Sequence, residues 1–157
     1  MSNIVLVGLP GSGKTSLGKT LSAMLKTEFY DADEAISYVT GKTVKELIKT
    51  DGKKAYAEQE KKAVRAFSHL DDAIIAVGAL AVKDEENVSL LKDNGILVFV
   101  ERDLDKLVSD KFTAKQTEKM AQELLPLYKK HAHFAIDNNR TVFETAKNLL
   151  SRLGIGE

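Results

Sequence analysis

One glycine-rich segment near the start of the sequence carries residues whose types and spacing suit phosphate chemistry. Residues 8–15 read Gly-Leu-Pro-Gly-Ser-Gly-Lys-Thr and match the pattern G-x-x-x-x-G-K-[ST] at every fixed position. The glycines allow several backbone N–H groups to turn toward one polyanion. Lys14 adds a positive charge, and the hydroxyl of Thr15 is a ligand for Mg²⁺. The segment therefore predicts a loop that binds the phosphates of a nucleoside triphosphate.

The sequences on either side of this loop bear on whether the match is meaningful. Ahead of it, residues 4–7 form a short unbroken apolar run, typical of a strand buried on both faces. Behind it, apolar residues recur at helical spacing at positions 17, 21, 24 and 25. A strand, a loop and a helix in this order argue against the alternative, a surface turn with a coincidental lysine. The residues predicted to contact the nucleotide here are Gly8, Gly11, Ser12, Gly13, Lys14, Thr15 and Ser16.

A second chemical feature is a pair of carboxylates, Asp31 and Asp33, at the end of a predicted strand over residues 29–33. Side chains two positions apart share one face of a strand, so both are expected to project beyond its carboxyl end. One acid near Mg²⁺ and one near the hydroxyl to be phosphorylated would suit phosphoryl transfer. The alternative is an Asx turn or an N-cap for a helix that begins near Glu34. The glycine-rich loop favours the catalytic interpretation.

A third carboxylate, Glu60, lies on the apolar stripe of a predicted helix, four residues from both Tyr56 and Val64. This helix follows Gly52 and a shorter helix that begins with a capping box at residues 43–46. Because burial of a lone carboxylate costs several kcal/mol, a buried Glu60 must be paired or face a cavity. The alternative is exposure at the edge of the stripe.

The remaining elements predict the fold and the edge at which a ligand binds. Three further apolar runs complete a set of five predicted strands: residues 73–77, 96–100 and 134–136. Their alternation with helices predicts an α/β fold of three layers, with a parallel sheet covered on both faces. Gly78, Arg102 and residues 138–140 follow three of these strands, at the carboxyl edge where a nucleotide site is expected. The polar residues 109–116 are either a mobile cover for that edge or a solvated connection.

Composition limits the classes of function. The 157 residues fit one domain, residues 1–157, without repeats or linkers. With 23 basic and 23 acidic residues, the chain lacks the positive field expected of a protein that binds nucleic acid or an anionic membrane. The absence of cysteine excludes disulfides and thiolate metal sites. No leader sequence and no apolar run of membrane-spanning length are seen, so we expect a cytoplasmic protein. We also expect the protein to be a monomer.

Taken together, these motifs resemble those of the shikimate kinases, small P-loop enzymes similar to the nucleoside monophosphate kinases. The likeness covers nearly the whole chain, beginning with Gly-x-x-Gly-Ser-Gly-Lys-Thr at residues 8–15 and Asp-x-Asp at 31–33. The family's Gly-x-x-x-Phe-Arg-x-x-Glu stretch corresponds to residues 52–60, which have Tyr56 and Ala57 in place of Phe-Arg, and its Arg-x-Pro-Leu-Tyr to residues 124–128, which begin with Leu124. An Asp-x-x-Arg-like adenine loop lies at 137–140. The resemblance implies a P-loop fold with a five-stranded parallel sheet in the order 2-3-1-4-5 and a short lid at about residues 109–120. It also implies transfer of the γ-phosphoryl group of ATP, with Mg²⁺, to a hydroxyl of shikimate.

The resemblance further implies roles for individual residues. Lys14 and Asp33 are the implied catalytic residues, with Asp33 nearest the acceptor hydroxyl. Thr15 and Asp31 are the implied magnesium ligands, Asp31 through water. The implied nucleotide contacts outside the glycine-rich loop are Arg102, Asn139 and Arg140. The implied contacts of the acceptor are Asp33, Tyr56, Glu60 and Gly78.

The departures from the family are concentrated where the carboxylate of shikimate would bind. Ala57 and Leu124 stand at the positions of two arginines, and each arginine would form a charge-assisted contact worth about 1.5–3 kcal/mol. Residues 78–80 read Gly-Ala-Leu in place of three glycines. No arginine lies between Arg102 and Arg140 to reach the transferring phosphate. The lysines nearby that can substitute for it are Lys106, Lys111 and Lys115.

Two functions from different classes follow. The first is an ATP-dependent kinase whose acceptor is shikimate or, given the missing arginines, a different small hydroxylated metabolite. The alternative is a catalytically weak or inactive nucleotide-binding protein that acts through a partner.

Overall fold

The computed structural model describes residues 2–155, which form one parallel sheet with helices on both faces. The strands are β1 (Asn3–Val7), β2 (Phe29–Asp31), β3 (Ile74–Ala76), β4 (Gly95–Glu101) and β5 (Phe134–Asp137). The helices are α1 (Lys14–Leu25), α2 (Ala32–Thr40), α3 (Val44–Asp51), α4 (Lys53–Phe67), α5 (Glu85–Asp93), α6 (Ala114–His131) and α7 (Val142–Arg152). Two short 3-10 helices lie at Ala81–Lys83 and Leu104–Lys106.

All neighbouring strands of the sheet are parallel, and their order is β2-β3-β1-β4-β5. This confirms the predicted fold class and strand order. The central strand β1 pairs on one side with β3 and on the other with β4, with Ile4 opposite Ile74 and Ile96. Because all five strands run in the same direction, their carboxyl ends and the loops that follow them meet at one edge.

Alternate residues of β1 enter two separate cores, as a strand buried on both faces requires. Val5 and Val7 pack on one face in a core that includes Val64 of α4, Leu91 of α5 and Leu124 of α6. On the opposite face the core is formed by β1, β3 and β4 with α1 and α7, and its central members are Leu6, Leu17, Leu21, Val98 and Leu149. Helices packed on both faces thus fix the position of the sheet edge that carries the polar residues.

The helix start predicted at residues 43–46 is confirmed by a complete capping box, which joins Thr43 to Glu46 at α3. A second complete capping box joins Thr113 to Gln116 at α6. Because α6 begins at Ala114, the second half of the lid range 109–120 is regular helix. The irregular stretch is residues 107–113, which we term the lid segment. None of the helices within residues 2–155 has the length and hydropathy needed to cross a bilayer.

Candidate active site

The glycine-rich loop between β1 and α1 has a backbone that only glycine tolerates at two positions. Gly11 has φ of 81° and Gly13 has φ of 93°, both in the left-handed region. A Cβ atom on Gly11 would lie 2.5 Å from the backbone nitrogen of Val108, and one on Gly13 would lie 2.4 Å from Nδ2 of Asn138. The loop is therefore held between the lid segment and the residues that follow β5.

Lys14 is folded back onto its own loop. Its Nζ donates hydrogen bonds to the carbonyl oxygens of Gly8, at 2.7 Å, and Leu9, at 3.0 Å. Burial lowers the pKa of Lys14 to about 8, although the carboxylate of Asp33 partly opposes this shift. An ammonium group that is costly to bury in this way is stabilised by an anion, and a phosphate group would supply one.

Asp31 takes the N-cap role that the sequence gave as the alternative, and its other carboxylate oxygen contacts Thr15. Its Oδ2 accepts a 2.7 Å hydrogen bond from the hydroxyl of Thr15, while its Oδ1 accepts from the backbone N–H groups of Asp33 and Glu34 and caps α2. The prediction of a strand over residues 29–33 was wrong for its last two residues, because β2 ends at Asp31 and α2 begins at Ala32. Asp33 reaches the site from the first turn of α2 and does not share a strand face with Asp31.

Both carboxylate oxygens of Asp33 are engaged. The phenol of Tyr56 donates to Oδ1 at 2.7 Å, and Nζ of Lys111 lies 2.7 Å from Oδ2. Burial, with the nearby carboxylate of Glu60, raises the pKa of Tyr56 well above its usual value, so the phenol stays protonated and keeps donating. Tyr56 on α4 and Lys111 on the lid segment thus fix the orientation of an acid on α2.

Glu60 is buried, with a relative exposure of 2%, which rules out the alternative of an exposed side chain. Its Oε2 accepts a 2.6 Å hydrogen bond from the backbone N–H of Gly78, at the end of β3. A Cβ on Gly78 would lie 2.1 Å from the phenol oxygen of Tyr56 and 2.5 Å from Oε2 of Glu60, so the cluster needs glycine there. Burial, reinforced by the charge of Asp33, raises the pKa of Glu60 to about 8.

This shift predicts how stability depends on pH. Between pH 4.5 and about 8 the unfolded chain releases the proton of Glu60 while the folded chain retains it, so the free energy of unfolding falls as the pH rises. Glu60→Gln keeps an acceptor for Gly78 and removes this dependence. We expect its melting temperature to exceed the parental value by about 5–10 °C near pH 7.5 and to approach it near pH 5, by circular dichroism.

Glu58→Gln, on the exposed face of the same helix, is the matched control and should follow the parental pH dependence. Lys14 titrates from about 8 upward, so measurements below pH 8 separate the two groups. A Glu60→Gln melting temperature that runs parallel to the parental curve from pH 5 to 7.5 would contradict the assignment.

The side chains of Lys14, Asp31, Asp33 and Tyr56 line a cavity of about 380 Å³ at the carboxyl edge of the sheet, and Glu60 does not line it. The predicted site residues that line it are Gly11, Gly13, Lys14, Thr15, Ser16, Asp31, Asp33, Tyr56 and Gly78. Ser12, Arg102 and Asn139 line a second cavity of about 340 Å³ that also borders the loop. Arg140 lines neither of these two cavities; its side chain is 81% exposed and lies 3.9 Å from Glu144.

Asn138 makes two contacts that the sequence did not predict. Its Nδ2 donates to the carbonyl oxygen of Ser12 at 2.7 Å, and its Oδ1 accepts from the hydroxyl of Thr145 at 2.7 Å. Asn138 therefore ties the glycine-rich loop to α7. The available signal in the sequence was a polar residue directly after a predicted strand. This signal could not predict the contact of Asn138 with Ser12, because the two residues lie 126 positions apart.

The residues present fit a nucleotide with Mg²⁺. The Thr15 hydroxyl and the Asp31 carboxylate are hard oxygen donors, and Mg²⁺ commonly keeps several waters and takes only one or two protein ligands. No cluster of three or more metal-ligating side chains occurs within residues 2–155, and such a site does not require one. Oγ of Ser12 and Nε of Arg102 are buried without a hydrogen-bond partner among the same residues, so both are available to a ligand.

Comparison with known proteins identifies the family. The family model described as shikimate kinase matches residues 10–154. This chain belongs to the shikimate kinase family. A shikimate kinase of Pelotomaculum thermopropionicum is 42% identical over 103 residues, an alignment that spans 66% of this chain and 60% of the relative. A shikimate kinase of Clostridium botulinum strain Eklund 17B is 30% identical over 152 residues, covering 91% of this chain and 92% of the relative.

Solved structures share the fold. The shikimate kinase of Acinetobacter baumannii in complex with shikimate superposes with a TM-score of 0.89 at 24% identity, covering 98% of this chain and 93% of that one. A gluconokinase of Sinorhizobium meliloti superposes with a TM-score of 0.69 at 14% identity, covering 98% and 91%. Shikimate kinases are ATP-dependent phosphotransferases that act on a hydroxyl group, and family membership places this chain among them.

Proposed function

We propose that this kinase transfers the γ-phosphoryl group of ATP to a hydroxyl of a small metabolite, with Asp33 as the base. The observation that carries the proposal is the position of Asp33. Its carboxylate lies in the same cavity as Lys14 and Thr15 of the glycine-rich loop and is oriented by the phenol of Tyr56. A base in this position is within reach of a hydroxyl that enters the cavity beside the phosphates.

Each residue has a defined task in this mechanism. Lys14 and the backbone N–H groups of the loop bind the phosphates, and Thr15 and Asp31 hold Mg²⁺. When bound, Mg²⁺ neutralises negative charge on the phosphate oxygens. Asp33 takes the proton of the acceptor hydroxyl. The oxygen of that hydroxyl bonds to the γ-phosphorus as the bond between this phosphorus and the departing ADP oxygen breaks. Tyr56 stays protonated and keeps the carboxylate aligned.

We further propose that the acceptor is not shikimate. The two positions at which the family has arginine hold Ala57, which is exposed on α4, and Leu124, which is completely buried in the core. Neither side chain lines the cavity that contains Asp33. The one lysine that lines it besides Lys14 is Lys111, and its charge is taken up by Asp33. A carboxylate in this cavity would lack its bidentate partners.

The test is release of ADP from ATP and Mg²⁺ in the presence of shikimate, D-gluconate and uncharged polyols, one at a time. We expect no turnover with shikimate, or a KM at least about 100-fold above that of the Acinetobacter baumannii enzyme assayed alongside, because two charge-assisted contacts are lost. Stimulation by another compound would identify the acceptor. Efficient turnover of shikimate at low KM would refute the proposed change of acceptor.

The position of Leu124 also limits how the family site can be rebuilt. Leu124→Arg would place a guanidinium in a core formed with residues such as Phe99 and Tyr128, so we expect it to destabilise the fold by several kcal/mol. The exposed position 57 tolerates arginine. Ala57→Arg is therefore the only one of the two substitutions that tests the recovery of shikimate binding in a folded chain.

A second candidate function is favoured by one observation, the full engagement of Asp33. With Tyr56 on one oxygen and Lys111 on the other, the carboxylate can receive a hydroxyl only after one partner moves. A chain that keeps this arrangement would bind nucleotide and act through a partner without turnover. Tight ATP binding without acceptor-dependent release of ADP would support this alternative.

The monomeric state, the cytoplasmic location and the single domain stay predictions.

A further inference from the structure

The structure distinguishes among the three lysines that can bring positive charge to the site from the lid segment and its flanks. Lys106 lies 3.9 Å from Asp103 and 3.4 Å from the carbonyl oxygen of Asn139, both of which border the second cavity. Lys115 is exposed in the first turn of α6 and forms no ion pair with any residue from 2 to 155. Lys111 alone reaches the cavity that holds the glycine-rich loop, where its Nζ lies 2.7 Å from Asp33.

Lys111 remains a cation in this position. Burial alone would lower its pKa, but the carboxylates of Asp33, Asp31 and Asp110 outweigh this effect and raise the pKa above its usual value. The charge of Lys111 is also felt by Lys14, whose pKa it helps to lower. Two ammonium groups therefore share one cavity, and a polyanion between them would relieve their repulsion.

The lid segment is anchored on both sides of Lys111. On one side the backbone of Val108 lies against Gly11, and on the other Thr113 caps α6. Within the segment, the backbone N–H of Lys111 donates to Oγ of Ser109 at 3.0 Å. With its backbone held at these points, the long side chain of Lys111 can change partners inside the cavity by rotating its own bonds.

We propose that Lys111 supplies the positive charge that stabilises the transferring phosphoryl group, and that its ion pair with Asp33 is the resting arrangement that nucleotide binding breaks. This inference rests on the proposed phosphoryl transfer. A phosphoryl group in transit carries charge on three oxygens and competes for the ammonium group with a single carboxylate. The exchange also frees one oxygen of Asp33, which the acceptor hydroxyl needs. One movement thereby supplies charge to the phosphoryl group and exposes the base.

The first test compares two affinities of the protein. One is for ADP and Mg²⁺ with aluminium fluoride, which mimics the phosphoryl group in transit, and the other is for ADP and Mg²⁺ without it. For Lys111→Met we expect a loss of about 100-fold with the mimic and less than about 3-fold with ADP, by isothermal titration calorimetry. Lys111→Arg should restore most of the affinity because it keeps the charge. Lys115→Met, a lysine four residues away, should match the parent.

The two proposals fail in different ways in this titration. If the parent binds the mimic no more tightly than ADP alone, phosphoryl transfer itself is wrong and the role of Lys111 fails with it. If the parent binds the mimic tightly and Lys111→Met binds it equally well, phosphoryl transfer stands and the role of Lys111 is wrong.

The second test detects the exchange directly. A carbodiimide couples a carboxylate and an amine that are in contact, with loss of water, and peptide mass spectrometry locates the amide. We expect an Asp33 to Lys111 cross-link in the nucleotide-free protein and its disappearance with ADP, Mg²⁺ and aluminium fluoride. A cross-link that forms equally under both conditions would mean that Lys111 stays on Asp33, and would overturn the proposal.

Discussion

Lys14→Ala is expected to abolish measurable binding and turnover of ATP while leaving the chain folded. Among residues 2–155, no other side chain that lines the cavity contacts the carbonyl oxygens of the glycine-rich loop as Lys14 does, and its charge on the β- and γ-phosphates cannot be replaced. The left-handed backbone positions of the loop are at Gly11 and Gly13, and the substitution leaves both glycines in place. Because Lys14 is a buried cation whose pKa falls to about 8, its removal should not lower the melting temperature.

The measurements are isothermal titration calorimetry with ATP and Mg²⁺ for binding and circular dichroism for folding. Lys19→Ala provides a matched control, because Lys19 lies on the same helix and its side chain is 64% exposed. The control should bind ATP like the parent. A Lys14→Ala protein that turns over at the parental rate would show that this loop does not hold the nucleotide.

Asp33→Asn is expected to lower kcat by about 10²–10⁴-fold while changing the affinity for ATP by only a few-fold. Asparagine has the shape of aspartate and can still accept from Tyr56, but it cannot take the proton of a hydroxyl and it loses the ion pair with Lys111. A loss confined to kcat is the signature of a group that acts in the transition state.

The assay is release of ADP with the acceptor identified by the screen, alongside calorimetric titration of ATP. Glu34→Gln is the control, since Glu34 is the next residue of α2 and its side chain is 65% exposed. Equal losses in kcat and in ATP affinity for Asp33→Asn would assign Asp33 to the metal and not to the acceptor.

Features of the fold that have local causes could be predicted from the sequence. A run of four apolar residues, followed by the glycine pattern and a helical stripe, predicted β1, the loop and α1, because each signal lies within a few residues of the structure it specifies. The capping box at Thr43 was predictable for the same reason. Alternation of strands and helices was sufficient for a parallel sheet, and the family resemblance supplied its strand order.

The partners of the carboxylates could not be predicted in this way, because they depend on the tertiary structure. Asp33 meets Tyr56 across 23 positions of sequence and Lys111 across 78, and Glu60 meets the backbone of Gly78 across 18. No periodicity links such residues, because their contact depends on how α2, α4, the lid segment and the end of β3 pack around one cavity. The same packing completely buries Leu124, while Ala57 on α4 stays exposed. An arginine side chain is therefore expected to be tolerated at position 57 and to destabilise the fold at position 124. Local sequence signals specify each element, and the distances between elements follow from the buried surfaces they share.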